Sequence, residues 1–166
     1  MGRLRTRRSR LVVRDRRLTR RFGDVNVHVR PDRPTDAARC CDIVNEAIRA
    51  MDGLNDAARA HVRARSVPDR LGPELERWTT LVVESDDRIV GLGTLDDDDV
   101  KRVSIDPAGR GGGAATALMR SLEEIAARRV GTIRLEASPS SVAFSESLGF
   151  VRLSNDIGVP DRAERS

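Results

Sequence analysis

The spacing of apolar and polar residues divides this chain of 166 residues into helical and extended segments. Alternating apolar residues predict strands, and the run Ser85-Asp86-Asp87-Arg88 between two of them is a hairpin signal. Apolar residues three and four apart predict helices, the first with Thr35 as its N-cap. The order of these elements predicts an α/β fold with a mixed sheet. Strands are predicted at 25–30, 78–84, 89–95, 100–105, 132–137 and 150–153, and helices at 38–51, 55–65, 71–76, 117–129 and 140–148.

A segment almost without side chains joins the strand at 100–105 to the next helix. It reads Ile105-Asp106-Pro107-Ala108-Gly109-Arg110-Gly111-Gly112-Gly113-Ala114-Ala115. Backbone N–H groups in such a segment can converge on an anion, and the following helix adds the positive end of its dipole. The segment is therefore typical of a phosphate loop; the alternative is an ordinary turn whose glycines provide positive φ and a helix start.

Two common phosphate loops do not match this segment. A Walker loop ends in Gly-Lys-Ser/Thr, whereas Lys101 is the only lysine of the chain. A dinucleotide fingerprint follows the first strand of a βαβ unit and has an acidic residue about 20 positions further on. The segment in this chain comes later, after several strands.

The segment resembles the acyl-CoA pyrophosphate loop of the GNAT acetyltransferases, which has the pattern Val/Ile-x-Pro-x-x-Gln/Arg-x-x-Gly-x-Gly/Ala. The chain matches the fixed positions with Ile105, Pro107, Arg110, Gly113 and Ala115. The resemblance implies acetyl-CoA as cosubstrate. The Arg110 guanidinium would add positive charge near the pyrophosphate, and capping of local carbonyls or solvation is its alternative role. The pyrophosphate would be held by the N–H groups of Arg110, Gly111, Gly112, Gly113, Ala114 and Ala115.

A second family signature, Asn-x-x-Ala-x-x-Phe-Tyr-x-x-x-Gly-Phe, falls on residues 138–150. Phe144, Gly149 and Phe150 agree with it, whereas serines stand at 138, 141 and 145. The resemblance implies a mixed, mostly antiparallel sheet flanked by helices, with a splayed central strand pair. The family normally adds a seventh strand. Residues 157–159 either pair weakly as that strand or leave an edge for a partner to cover, for example a second copy in a homodimer.

The resemblance places the pantetheine arm in the splay between the strand ending at Ile105 and the strand from 132. Backbone groups of Val103, Ser104 and Ile105 would pair with the pantetheine amides, and Ser138 could hydrogen-bond the same arm. Ser138 is followed by Pro139, so a helix N-cap with proline at the first helical position is the alternative that the sequence favours.

Asp99 and Ser145 stand at positions that carry catalytic side chains in the family. Asp99 matches a carboxylate that accepts the ammonium proton, and a hydrated turn is the alternative for the acidic run 96–99. Ser145 replaces a tyrosine that protonates the departing thiolate. A phenol has a pKa of about 10 and an aliphatic hydroxyl is far less acidic, so Ser145 would donate only a hydrogen bond to sulfur.

Charge is distributed unevenly along the chain. Residues 1–27 contain ten Arg and two acidic residues, for a net charge of +8, and the remaining 20 basic and 24 acidic residues give −4. We expect a disordered arm at 1–24, a GNAT acetyltransferase domain at 25–155 and a C-terminal tail at 156–166. Such an arm can neutralise phosphates of nucleic acid. A solvated tail or a start codon placed too far upstream is favoured over that reading.

The remaining composition argues against several other classes of protein. Cys40 and Cys41 lie in a helical segment, where burial as small apolar residues is expected, and they favour a reducing, cytoplasmic setting. His28 and His61 form no ligand-spaced cluster, so no metal site is expected. No stretch approaches the roughly 20 apolar residues of a membrane helix.

These observations favour an N-acetyltransferase that transfers an acetyl group from acetyl-CoA to a primary amine by direct attack. The acceptor would be a small molecule or a peptide, bound by the first two helices and a loop near the C-terminus. The serine replacements leave open a catalytically weak or silent acyl-CoA-binding or regulatory module. The Arg-rich arm leaves open a nucleic-acid-associated protein.

Overall fold

The computed structural model describes residues 9–13, 27–52, 55–129, 133–137 and 141–154. The mixed, mostly antiparallel sheet with flanking helices is confirmed, with the strand order β2-β3-β4-β5-β6-β1-β7. The strands are β1 (Ser9–Val13), β2 (Val27–Pro31), β3 (Thr79–Ser85), β4 (Arg88–Asp96), β5 (Asp99–Ile105), β6 (Ile133–Ala137) and β7 (Val151–Ser154). The helices are α1 (Ala37–Arg49), α2 (Asp56–Arg65), α3 (Pro68–Arg77), α4 (Ala114–Ala127) and α5 (Val142–Ser147).

Two apolar layers cover the two faces of the sheet. Leu81 and Val83 of β3 pack in the cluster that contains α4, whereas Val82 between them packs in the cluster that contains α1 and α3. This division follows from the strand geometry, because successive side chains point to opposite faces. Leu118 and Leu122 of α4 are fully buried against the first face. The helices thereby hold β4 and β5 between them.

The hairpin predicted from 78–95 is present as β3 and β4. Asp86 and Asp87 occupy its two turn positions with φ values of 51° and 58°. Positive φ at both central positions gives the turn a twist that matches the strands it joins. Aspartate tolerates this conformation better than most residues, so two consecutive aspartates suit the turn.

The start of α1 differs from the prediction. Thr35 does not cap the helix; it lies in a 3-10 turn at Pro34–Asp36, and α1 begins after that turn. The side chain of Asp36 is instead bound by the Nη1 of Arg30 at 2.8 Å and by the backbone N–H of Arg33 at 2.7 Å. A buried carboxylate needs such charge-assisted partners, and they hold Asp36 in the turn before α1.

The N-terminal arm also differs from the expectation of disorder over 1–24, because Ser9–Val13 forms β1. This strand lies between β6 and β7 and is antiparallel to both, with Leu11 opposite Leu135 and Val12 opposite Val151. A strand in this position pairs the backbone of two neighbours that would otherwise present open edges. It thus provides a seventh strand. Residues 14–26 and the segment 157–159 lie outside the described residues.

The helices of the described residues include none that is long and apolar enough to cross a lipid bilayer.

Candidate functional site

A gap opens between β5 and β6 in the middle of the sheet. The two strands are parallel and pair only at their beginnings, and the last pair in the described residues is Val100 with Leu135. On its other side, β5 stays paired with β4 to its end. The backbone of Val103, Ser104 and Ile105 therefore has a strand on one side only. The other edge can accept an extended chain in the way that a sheet accepts an added strand.

The loop after β5 exposes its backbone N–H groups. Gly111 and Gly113 have φ values of 83° and 78°, which side chains rarely allow, and α4 begins directly after Gly113. Nothing lies within 4 Å of the position that a Cβ of Gly111 would occupy. Among the described residues, the N–H groups of 111–115 have no acceptor. They and the helix dipole form an open cradle for an anion.

The side chain of Asp106 and that of Arg39 in α1 stabilise the beginning of this loop. Asp106 caps the turn at Pro107–Gly109 by accepting the N–H of Ala108 at 3.0 Å. Arg39 of α1 donates to Asp106 Oδ2 at 2.5 Å and to the carbonyl of Ile89 at 3.0 Å. The Arg39 guanidinium, together with the Ala108 N–H, lowers the pKa of Asp106. The Arg39 contact could not be predicted from the local pattern, because 67 positions separate the two residues.

Arg110, the basic residue that was predicted to lie near an anion, is exposed in the loop. Its side chain has no partner among the described residues, which leaves the guanidinium available to a ligand. The alternative role of capping local carbonyls is not seen for this side chain.

A β-bulge marks the point where β5 and β6 separate. Leu95 of β4 pairs with Val100, and Thr94 pairs with Arg102, so Lys101 is an extra residue in β5. A bulge of this kind redirects a side chain and is common beside functional sites. Sequence reasoning missed this residue, because the register of two strands cannot be read from one of them.

Lys101 binds a carboxylate at the point where β5 and β6 separate, which we call the vertex of the gap. Its Nζ donates to Asp99 Oδ2 at 2.6 Å, and the two side chains are 34% and 36% exposed. The bond to Asp99 raises the pKa of Lys101, and the negative charges of Asp96 and Glu136 act in the same direction. Asp99, the predicted proton acceptor, is therefore at the vertex of the gap but is bound to a cation.

Ser145 and Ser138 were also predicted to contact the cosubstrate, and only Ser145 lies within the described residues. Ser145 is 4% exposed and its hydroxyl donates to the carbonyl of Ser141 at 2.9 Å, within its own helix. Its only proton is thus used locally. Ser138 lies outside the described residues, so neither its predicted contact nor its alternative as a cap is tested.

An open groove of about 430 Å³ lies between α1 and α2. Arg59 of α2 attaches that helix to the C-terminal end of α1 by donating to the carbonyls of Ile48 and Arg49 at 3.0 and 2.8 Å. The Oδ1 of Asn45 is buried and has no partner, which marks a polar position beside the groove. The lining residues are Asn45, Arg49, Ala60, Arg63, Ala64 and Val67.

Comparisons with known proteins agree with this geometry. A family model described as an acetyltransferase (GNAT) domain matches residues 52–159. A GCN5-related N-acetyltransferase from Rhodopseudomonas palustris is 25% identical with a TM-score of 0.69, over 75% of this chain and 81% of that one. A search of curated protein sequences found no match.

Two further structures share the fold at lower identity. A GCN5-related N-acetyltransferase from Ralstonia eutropha JMP134 is 20% identical with a TM-score of 0.65, over 81% of this chain and 98% of that one. The PaiA N-acetyltransferase from Thermoplasma acidophilum, solved in complex with coenzyme A, is 16% identical with a TM-score of 0.61, over 74% and 87% of the two chains.

Proposed function

The chain belongs to the GNAT acetyltransferase family, and on this premise we propose that it transfers the acetyl group of acetyl-CoA to a primary amine. The observation that carries the proposal is the loop at 111–115, whose free N–H groups stand at the start of α4 and beside the gap between β5 and β6. An N-terminal cradle of this kind suits a diphosphate. The amine would attack the thioester directly, in a ternary complex.

The residues around the gap fit the cosubstrate. The N–H groups from Gly111 to Ala115 would hold the pyrophosphate, and the Arg110 side chain would approach it from solvent. The backbone N–H of Arg110, which was predicted to join them, instead donates to the carbonyl of Pro107 at 3.4 Å. The free edge formed by Val103, Ser104 and Ile105 would pair with the pantetheine amides. Acetyl-CoA supplies an activated acetyl group as its thioester. The residues of the chain have to position that group, accept a proton from the attacking amine and allow a proton to reach the departing sulfur.

Asp99 is the residue that we propose as proton acceptor for the attacking ammonium. It lies at the vertex of the gap, partly exposed, at the position where the family resemblance places a carboxylate. A positioned general base accelerates such a reaction by about 10²–10⁴. Ser145 would reach the departing sulfur only if its bond to Ser141 were exchanged, so proton transfer from water is the simpler route.

The amine acceptor would approach from the face that α1 covers. Arg39 near the start of α1 contacts Asp106 directly after β5, and α1 packs against β4 and β5. The groove between α1 and α2 would then lead the acceptor to the vertex that holds Asp99. The carboxylates of Asp96, Asp99 and Glu136 favour a cationic amine by electrostatic attraction. A small molecule or a peptide amine could enter there.

A silent acyl-CoA-binding or regulatory module is the second candidate. The observation that favours it is the local use of the Ser145 hydroxyl, together with the absence of tyrosine from the sequence. Such a protein would bind the coenzyme and would lack an efficient route for protons to the thiolate.

Calorimetry followed by a thiol-release assay distinguishes these functions. Acetyl-CoA is titrated into the full chain, and release of CoA is then followed with a panel of primary amines. Binding with amine-dependent release supports the enzyme. Binding without release by any amine supports the silent module. Failure to bind acetyl-CoA at all would contradict both.

A further inference from the structure

Lys101 occupies an unusual position for the only lysine of the chain. It directly follows Val100, the last residue of β5 that pairs with β6, and it is the extra residue of the bulge. Val100 and Val103 pack with the cluster around α4, whereas Lys101 is exposed and bonded to Asp99. The residue therefore lies at the vertex of the gap, where its side chain reaches solvent and Asp99.

We propose that Lys101 is an acetyl acceptor within the protein itself, and that its acetylation releases Asp99 for catalysis on external amines. The proposal rests on the proposed function, since it needs acetyl-CoA in the gap between β5 and β6. Under that function the thioester lies where the two strands separate, because the pantetheine arm runs along β5 from the loop. A lysine side chain that begins at the vertex can reach the thioester there by changing its rotamer.

The step balances in atoms and charge. The Lys101 ammonium loses one proton to Asp99, and the Nζ lone pair then attacks the thioester carbonyl carbon. A carbon–nitrogen bond forms and the carbon–sulfur bond breaks, so the products are N-ε-acetyl-Lys101 and free CoA. A second proton leaves the nitrogen and ends on the sulfur, directly or through water. The proton on Asp99 passes to solvent, and no oxidant or other co-reactant is required.

Two features of the site support a slow, single reaction of this kind. The carboxylate of Asp99 is already hydrogen-bonded to Nζ at 2.6 Å, so the proton acceptor is in place. The same contact and the nearby Asp96 and Glu136 raise the pKa of Lys101, which keeps most of the amine protonated. We therefore expect the protein to be acetylated once and slowly, in contrast to turnover with an added amine.

Acetylation would change the charge of the vertex. An acetyl-lysine is neutral and cannot form an ion pair, so the Asp99 carboxylate would lose its cation. The Asp99 carboxylate would then be available to an incoming ammonium. Because the pair is partly exposed, its removal should alter the KM for a cationic amine by about two- to fivefold.

The test is peptide mass spectrometry of the full chain after incubation with acetyl-CoA. We expect the mass of one acetyl group on Lys101, and none there in Lys101→Arg. Two controls separate site chemistry from reaction in free solution. In the double variant Lys101→Arg/Arg128→Lys, the single lysine lies at an exposed position after α4. Gly113→Glu keeps Lys101 but puts an acidic side chain in the anion cradle. Both should be acetylated much more slowly than Lys101 in the parent chain.

The outcomes distinguish this inference from the proposed function. If calorimetry shows that acetyl-CoA binds and Lys101 stays unmodified, the inference is wrong and the function stands. Equal acetylation rates in the parent, the relocated lysine and Gly113→Glu would also overturn it. As a second readout, Lys101→Gln should lower the KM for a cationic amine relative to Lys101→Arg, with both variants folded by circular dichroism. An unchanged KM would contradict the release of Asp99.

Discussion

Arg39 of α1 holds Asp106 at the entry to the glycine-rich loop, with 2.5 Å between the guanidinium Nη2 and the carboxylate Oδ2. The same guanidinium bonds the carbonyl of Ile89 in β4. One side chain thus connects a helix, a strand and the start of the loop. Because α1 also forms one wall of the groove with α2, the same helix positions both the entry to the loop and that groove.

Removal of this connection should loosen the loop. We expect Arg39→Met to lower the free energy of unfolding by about 0.5–1 kcal/mol, since the pair is partly exposed. The affinity for CoA should fall as well, because the N–H groups after Asp106 lose their fixed position. Urea unfolding and calorimetry measure the two effects. Arg128→Met, at an exposed position after α4, is the control and should change neither; an unaltered CoA affinity in Arg39→Met would contradict the role.

Gly113 should be essential for the shape of the cradle. Alanine at a φ of 78° is strained by about 1–2 kcal/mol, so Gly113→Ala should lower both stability and CoA affinity. Gly72 in α3 is the matched control, because a Cβ there meets nothing within 4 Å. Gly72→Ala should raise stability by about 0.5–1 kcal/mol. Equal CoA affinities of the two variants would argue against the loop as the binding site.

Asp99 and Asp97 provide a matched pair of aspartates for the proton-transfer step. Asp99→Asn removes the acceptor and should lower kcat/KM for an amine by about 10²–10⁴. Asp97 lies in the turn before β5 with a φ of 53°, which asparagine tolerates, so Asp97→Asn should stay within about 0.5 kcal/mol of the parent. A thiol-release assay measures kcat/KM for both variants. A similar small decrease in each would show that Asp99 is not the proton acceptor.

The stability of the fold should fall in acid through Asp36. Arg30 lowers the pKa of Asp36, so the folded state binds fewer protons than the unfolded state around the ordinary pKa of about 3.9. This stabilisation is complete above that value and is lost as the pH falls through the lower, folded pKa. Unfolding in urea from neutral pH to pH values of about 2 measures the loss.

Arg30→Met should remove most of that dependence. It leaves the buried Asp36 carboxylate without its cation, which costs about 3–5 kcal/mol at neutral pH and raises the pKa of the carboxyl. Arg49→Met breaks an exposed pair with Glu46 and serves as the control, with an effect below about 1 kcal/mol. Parallel pH profiles of the parent and Arg30→Met would show that the pair does not stabilise the fold.

The position of β1 inside the sheet can be tested at Leu11. Proline there removes the backbone N–H of a strand that has neighbours on both sides, so a lost ladder bond should cost about 1–3 kcal/mol beyond Leu11→Ala. Thermal unfolding and amide exchange of β6 report the change. If Leu11→Pro and Leu11→Ala unfold alike, the strand is not part of the sheet in solution.

Much of the fold could be predicted from local patterns. The hairpin of β3 and β4, the helix after the loop and the glycine-rich loop itself depend on residues that are close together in the sequence. Phe150, which agrees with the second family signature, likewise has a local partner: its N–H donates to the carbonyl of Ser145 in α5, and its side chain is buried. The predicted positions of Val103, Ser104 and Ile105 beside a gap are likewise found.

What could not be predicted depends on contacts between distant segments. Part of the arm was expected to be disordered and instead forms β1 between β6 and β7. The cap at Thr35 was wrong for a local reason, because Arg30 and Arg33 bind Asp36. The bulge at Lys101 and the ion pair between Arg39 and Asp106 cannot be seen in the local pattern of apolar and polar residues. Hydrophobic periodicity and turn chemistry act over a few residues, so the sequence alone determined most of the elements, though not β1, and the exposed loop backbone. Strand register and the pairing of distant charges arise only when the whole chain packs, so the tertiary structure decided which charged groups surround the site.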